Sequence, residues 1–121
     1  MTTLLHTPPT RRPLRRRLAL ACLAAASMAA TAADLPTLNL VIRSGRFIPA
    51  VVEVPANTKF RLLIKNEGPG AEEFESTVLR KEKVLAPGAS SFLIFMPLQP
   101  GSYPFFGDFH PETAQGRIVA K

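Results

Sequence analysis

From residue 34 onward this chain never goes far without a proline or a glycine, and that spacing decides its fold class. All seven glycines lie there, as do all of the 12 prolines except Pro8, Pro9 and Pro13. A helix of ordinary length has no room between such breakers, because proline removes a backbone donor and both residues are costly in helix interiors. Between the breakers the apolar residues recur with period two. Leu38, Leu40 and Ile42 alternate with Asn39, Val41 and Arg43, while Phe60, Leu62 and Ile64 alternate with Lys59, Arg61, Leu63 and Lys65. Further strands are read at Val51–Val54, Phe74–Leu79, Ser90–Met96, Tyr103–Phe106 and Arg117–Ala120, the Ser90–Met96 run being apolar enough for a buried strand. Arg80-Lys81-Glu82-Lys83 reads as a solvated turn or protected edge. The expectation is an all-β Greek-key sandwich of about seven strands. Phe92, Phe95, Met96, Tyr103, Phe105 and Phe106 are expected in its core.

The first 33 residues are of a different kind. Arg11, Arg12, Arg15, Arg16 and Arg17 precede an Ala- and Leu-rich run from Leu18 to Ala33, which ends in the small residues Thr31-Ala32-Ala33. This is the pattern of a secretory signal peptide, 1–33, with cleavage after Ala33 and a periplasmic mature domain, 34–121. The run falls short of the ~20 strongly apolar residues of a membrane span, so no membrane insertion of the mature chain is expected. Cys22 lies too early in the run, and in too poor a context, for a lipoprotein. Without the leader the net charge of +6 falls to +1, because the five arginines leave and all nine acids stay. No basic patch with interleaved aromatics remains, so no nucleic-acid partner is expected. The only cysteine leaves too, and with it any disulfide or thiolate ligand.

The chemistry is concentrated in two loops. One follows the Phe60–Lys65 strand and leads to Glu72, Glu73 and Glu75; the other, after Phe106, carries Gly107-Asp108-Phe109-His110-Pro111-Glu112-Thr113. In a Greek-key sandwich these loops can share one pole, which would bring the acids to His110, the one histidine of the mature domain. A Ser-His-acid hydrolase finds no plausible spacing here.

These residues resemble the cupredoxin family over essentially the whole mature chain. The likeness runs through Phe47-x-Pro49 and Val54-Pro55-Ala56-Asn57, then Lys65-Asn66-Glu67-Gly68 followed by Glu72-Glu73-Phe74, then Pro100-Gly101-x-Tyr103, and ends in the His110-to-Gly116 loop. In the family that loop carries Cys, His and Met as copper ligands, with a second His upstream. Here Gly107 stands at the Cys position, Ala114 at the Met position and Glu72 at the upstream His position, and only His110 is kept. A blue-copper electron carrier, which needs the thiolate, is therefore not expected.

The substitutions, with the Phe-Phe-Gly-x-Phe-His-Pro-Glu-Thr loop, resemble a narrower branch: periplasmic cupredoxin-like proteins that accompany bacterial ferrous-iron permeases. That resemblance implies copper as cofactor and iron as substrate or alternative metal. It also implies a periplasmic iron-binding protein and an inner-membrane iron permease as partners, and a ferroxidase-type role. The implied metal ligands are His110 and Glu72, with Glu73 holding an equal claim if the alignment slips by one; Glu75 and Asp108 are further candidates. A copper-binding chaperone, or a docking module without metal or redox activity, is the alternative.

Overall fold

The structure, a computed structural model, describes residues 35–121; the leader, its arginines and the cleavage site lie outside the described residues. Nine strands follow in order: β1 Thr37–Arg43, β2 Arg46–Ile48, β3 Val51–Val54, β4 Phe60–Asn66, β5 Glu72–Ser76, β6 Lys81–Leu85, β7 Ser90–Phe95, β8 Gly101–Phe106 and β9 Gln115–Ala120. They form one sheet in the order β2-β1-β4-β7 and another in the order β3-β9-β8-β5-β6. The β1–β4 and β3–β9 pairs are parallel and the rest antiparallel. This is the expected all-β sandwich, with two more strands than the sequence pattern resolves. No helix among the described residues is long and apolar enough to cross a membrane.

The alternating residues meet between the sheets. Leu40, Ile42, Phe47, Phe60, Leu62, Ile64 and Phe95 come from the first sheet; Val52, Val54, Phe74, Leu85, Phe105, Ile118 and Ala120 come from the second. Phe105 contacts both Phe47 and Phe74 at 4.8 Å between ring centroids, and Phe60 stacks on Phe95 at 4.9 Å. Such contacts add to the apolar burial that drives folding.

Three expectations need correction. The strand read as Phe74–Leu79 begins at Glu72 and ends at Ser76, and Thr77–Arg80 form a turn in which Arg80 takes a φ of 54°. The edge reading of residues 81–83 holds, since they belong to β6, the edge strand of its sheet. Ser90–Phe95 is likewise an edge strand rather than a buried one: Phe92 is 53% exposed and Met96 66%. An edge strand has one neighbour and one covered face, so a continuous apolar run does not guarantee burial. Tyr103 and Phe106 are only partly covered, while Phe95 and Phe105 do lie in the core.

Candidate metal centre

One end of the sandwich gathers the β1–β2 turn at Ser44-Gly45, the loop from β4 to β5, the loop from β6 to β7, and the loop from β8 to β9. Asn66, the last residue of β4, ties several of these together. Its side chain is fully buried; Nδ2 donates to the carbonyls of Gly70, Leu85 and Ala86, and Oδ1 accepts from the Gly68 amide. Both halves of the amide are therefore used, as a buried Asn requires. The β1–β2 turn joins the same network through the Ser44 amide, which donates to the Gly68 carbonyl at 3.0 Å, and through Arg43, whose Nε donates to Glu67 at 2.6 Å.

Glu72 opens β5 on its inward face, two residues before the core residue Phe74, so strand alternation sends its carboxyl into the sandwich. It is fully buried. His110 comes from the β8–β9 loop and stands 3.1 Å away, Nδ1 to Glu72 Oε2, with about half of its side chain exposed. The other carboxyl oxygen of Glu72, Oε1, is buried and has no partner. A buried carboxyl oxygen without a partner is costly and uncommon.

The loop that presents His110 is tightly fixed. The His110 carbonyl accepts from the amides of Thr113 at 3.1 Å and Ala114 at 2.7 Å, and the Gly107 amide donates to the Ala114 carbonyl at 3.0 Å. The Thr113 hydroxyl donates to the Gly45 carbonyl at 2.6 Å. Gly45, with φ +71°, lies directly against the imidazole; a Cβ there would sit 2.6 Å from His110 Cγ.

Glu73, Glu75 and Asp108, expected beside His110, gather instead on the opposite side of β5. Alternation turns Glu73 and Glu75 outward, and carboxylate oxygens of these two residues and Asp108 lie within 4.8 Å of one another. Glu75 also faces Glu82 directly across the β5–β6 pair. The sheet thus divides the five candidates into an inward pair, Glu72 with His110, and an outward acidic group. Within that group Glu73 also supports the loop, because its Oε2 accepts from the Asp108 amide at 2.8 Å and so anchors the start of the histidine segment.

Burial pushes the Glu73 carboxyl above its ordinary value of 4.5; the Asp108 amide opposes this, while Glu82, Asp108 and Glu75 add to it. The folded state then holds this proton more tightly than the unfolded state, so Glu73 weakens the fold as pH rises through its titration. Glu73→Gln keeps an acceptor for the Asp108 amide and removes the charge. The variant is expected to melt higher than wild type at pH 7, with the gap closing as the pH approaches 4. Urea unfolding at both pH values checks this, and an equal gap at each would contradict it.

The positions where the family carries sulfur are closed. A Cβ on Gly107 would lie 2.6 Å from the Glu73 carbonyl oxygen and 3.2 Å from the Ala114 Cβ, and Ala114 is fully buried. The loop lies close in against β5, so a side chain at Gly107 would strike the β5 backbone. Gly45 escaped the sequence reading as part of this end, and Thr113 and Asn66, though placed in its two loops, carried no sign of the contacts they make. A glycine in a Ser-Gly turn reads only as a turn residue, and nothing in sequence pairs it with a histidine 65 positions later.

A comparison with known families matches the cupredoxin-like domain over residues 16–120. An uncharacterized protein of Rickettsia prowazekii (strain Madrid E) is 48% identical over 82 residues, covering 68% of this chain; the matched part spans 66% of that protein's length. Among solved structures, auracyanin B superposes with a TM-score of 0.60 at 15% identity, covering 71% of this chain and 88% of its own. Auracyanin A, described as a "blue" copper protein from Chloroflexus aurantiacus, gives 0.57 at 14%, covering 70% and 98%. The metal-binding domain of a Cu(I)-exporting P-type ATPase from Streptococcus pneumoniae D39, solved with Cu(I), gives 0.59 at 10%, covering 70% and 84%. At these identities the structural likenesses establish the fold alone.

Proposed function

Because the chain belongs to the cupredoxin-like domain family, we propose that it is a periplasmic metal-binding protein whose copper site is built on Glu72 and His110. Its role is to assist the oxidation of ferrous iron, or its handover to an inner-membrane permease. The observation that carries the metal assignment is the buried, unpartnered Glu72 Oε1, beside a carboxyl whose other oxygen faces a half-exposed imidazole. Two donors that each bind one cation at about 2 Å, at angles between square and tetrahedral, stand roughly 3 Å apart, and the Nδ1–Oε2 separation of 3.1 Å matches this. The residues therefore fit a cation, Glu72 supplying charge from inside and His110 closing the site from solvent.

The donor set supports the choice of metal. Carboxylate oxygen and imidazole nitrogen suit Cu(II) and iron, whereas Cu(I) favours the sulfur ligands that Gly107 and Ala114 do not provide. Two protein donors leave the remaining coordination positions to water, a partner or an incoming reactant, the open positions that metal exchange and reaction at the metal use. Copper there would supply a one-electron acceptor for ferrous iron, with dioxygen as final oxidant. The iron link, and with it a periplasmic iron-binding protein and a permease as partners, is supported by the likeness of the Phe105-to-Thr113 loop to the permease-associated branch.

The test is the rate of ferrous-iron consumption in air by the domain from Asp34, with and without one equivalent of Cu(II). The expected outcome is an increase that needs copper and disappears in His110→Ala. Copper binding without faster iron consumption would replace the ferroxidase reading with a copper chaperone.

A further inference from the structure

We infer that the β1–β2 turn, through Gly45 and the Thr113 hydroxyl, is a positioning element that sets the His110 imidazole against Glu72; the inference rests on the metal reading above. Two independent contacts carry it. The face of Gly45 lies against the ring so closely that a Cβ would stand 2.6, 2.9 and 3.0 Å from His110 Cγ, Cβ and Cδ2. The Gly45 carbonyl in turn accepts from Thr113 Oγ1 at 2.6 Å, and the Thr113 amide donates to the His110 carbonyl, so turn, threonine and histidine close a ring of contacts.

The same turn is bonded to the segment that delivers Glu72. The Ser44 amide donates to Gly68, and Arg43 pairs with Glu67. Arg43, at the end of β1, and the two-residue turn thus bond to or lie against both donor-bearing segments. The imidazole is pressed from one side by Gly45 and faces Glu72 with Nδ1, leaving its other nitrogen, Nε2, as the atom not turned toward Glu72. Only glycine meets both demands at position 45: a φ of +71° and no atom in the space of the ring. Groups that orient a metal-binding histidine without touching the metal commonly change affinity by 10–100-fold when removed.

Thr113→Val, Thr113→Ser and Gly45→Ala test the inference, with Cu(II) as the probe. Thr113→Val and Gly45→Ala are expected to bind Cu(II) roughly 10–100-fold more weakly, and Thr113→Ser, which restores the hydroxyl, to recover most of the loss. A readout in the metal-free protein is the nitrogen NMR spectrum of the imidazole, since His110 is the only histidine after residue 34. The two Nδ1 and Nε2 signals should shift and broaden in Thr113→Val and return in Thr113→Ser. Unchanged affinity and unchanged ring signals in folded Thr113→Val and Gly45→Ala would overturn the inference and leave the metal reading standing. A melting temperature that drops while affinity and ring signals stay constant would overturn it equally. If wild type shows no imidazole-dependent Cu(II) binding, the metal reading itself fails and this inference falls with it.

Discussion

Glu72→Met is expected to make the metal-free protein more stable while removing its Cu(II) affinity. Glu72 places a carboxyl in the sandwich with one oxygen facing His110 and the other unpartnered. Such a group costs about 1–3 kcal/mol relative to a satisfied or apolar one, and removing one partner of a buried pair is destabilising chiefly where it strands the other as a buried charge. Methionine has a similar length and adapts to irregular space, and half-exposed His110 can turn to water once its partner is gone. The expected gain corresponds to roughly 5–15 °C in melting temperature for a domain of this size. Cu(II) affinity should fall by about 100-fold or more, since losing even an outer-shell partner costs 10–100-fold. Calorimetric melting and Cu(II) titration of the same preparation check both halves. A variant that melts lower than wild type, with affinity intact, would make Glu72 a structural residue.

The second large effect concerns the missing thiolate. Gly107→Cys restores the family's residue in sequence, but its Cβ would meet the Glu73 carbonyl at 2.6 Å. That oxygen belongs to the β5 backbone, which pairs with β6 on its other side, so it cannot yield cheaply. Overpacking of this kind costs about 1–3 kcal/mol, here at the upper end because main chain is struck, or roughly 10 °C or more in melting temperature. The variant should therefore unfold earlier and should not develop an intense thiolate-to-copper band when Cu(II) is added. A stable, strongly coloured Gly107→Cys protein would show that the loop can reopen and that the ligand space is only vacant.

The scaffold was legible because β alternation and breaker spacing are local properties. Leu38, Leu40, Ile42, Phe60, Leu62 and Ile64 all point where period two sends them. Burial of an edge strand was not legible: Phe92 and Met96 look like core residues in sequence, and only sheet order shows that β7 has one neighbour. At the site, the facing of Glu72 and His110 followed from assigning the two loops to one end. Alternation from Phe74 already sends Glu75 to the other face, but the separation of Glu73 and Asp108 from His110 did not follow, because it depends on where β5 begins. With the strand starting at Glu72 rather than Phe74, residues 72 and 74 share the inward face and 73 and 75 the outward one. The turn at Gly45 stayed hidden because its partner is distant in sequence.

Glu72 and His110 together bind one cation in this reading of the site. Electron paramagnetic resonance of the domain from Asp34 with one equivalent of Cu(II), compared with His110→Ala, tests it most directly. The expected result is a single bound species with hyperfine coupling from one imidazole nitrogen in an otherwise oxygen-donor environment, a spectrum without blue-copper character, and loss of that coupling in His110→Ala. Identical spectra from both proteins would contradict it.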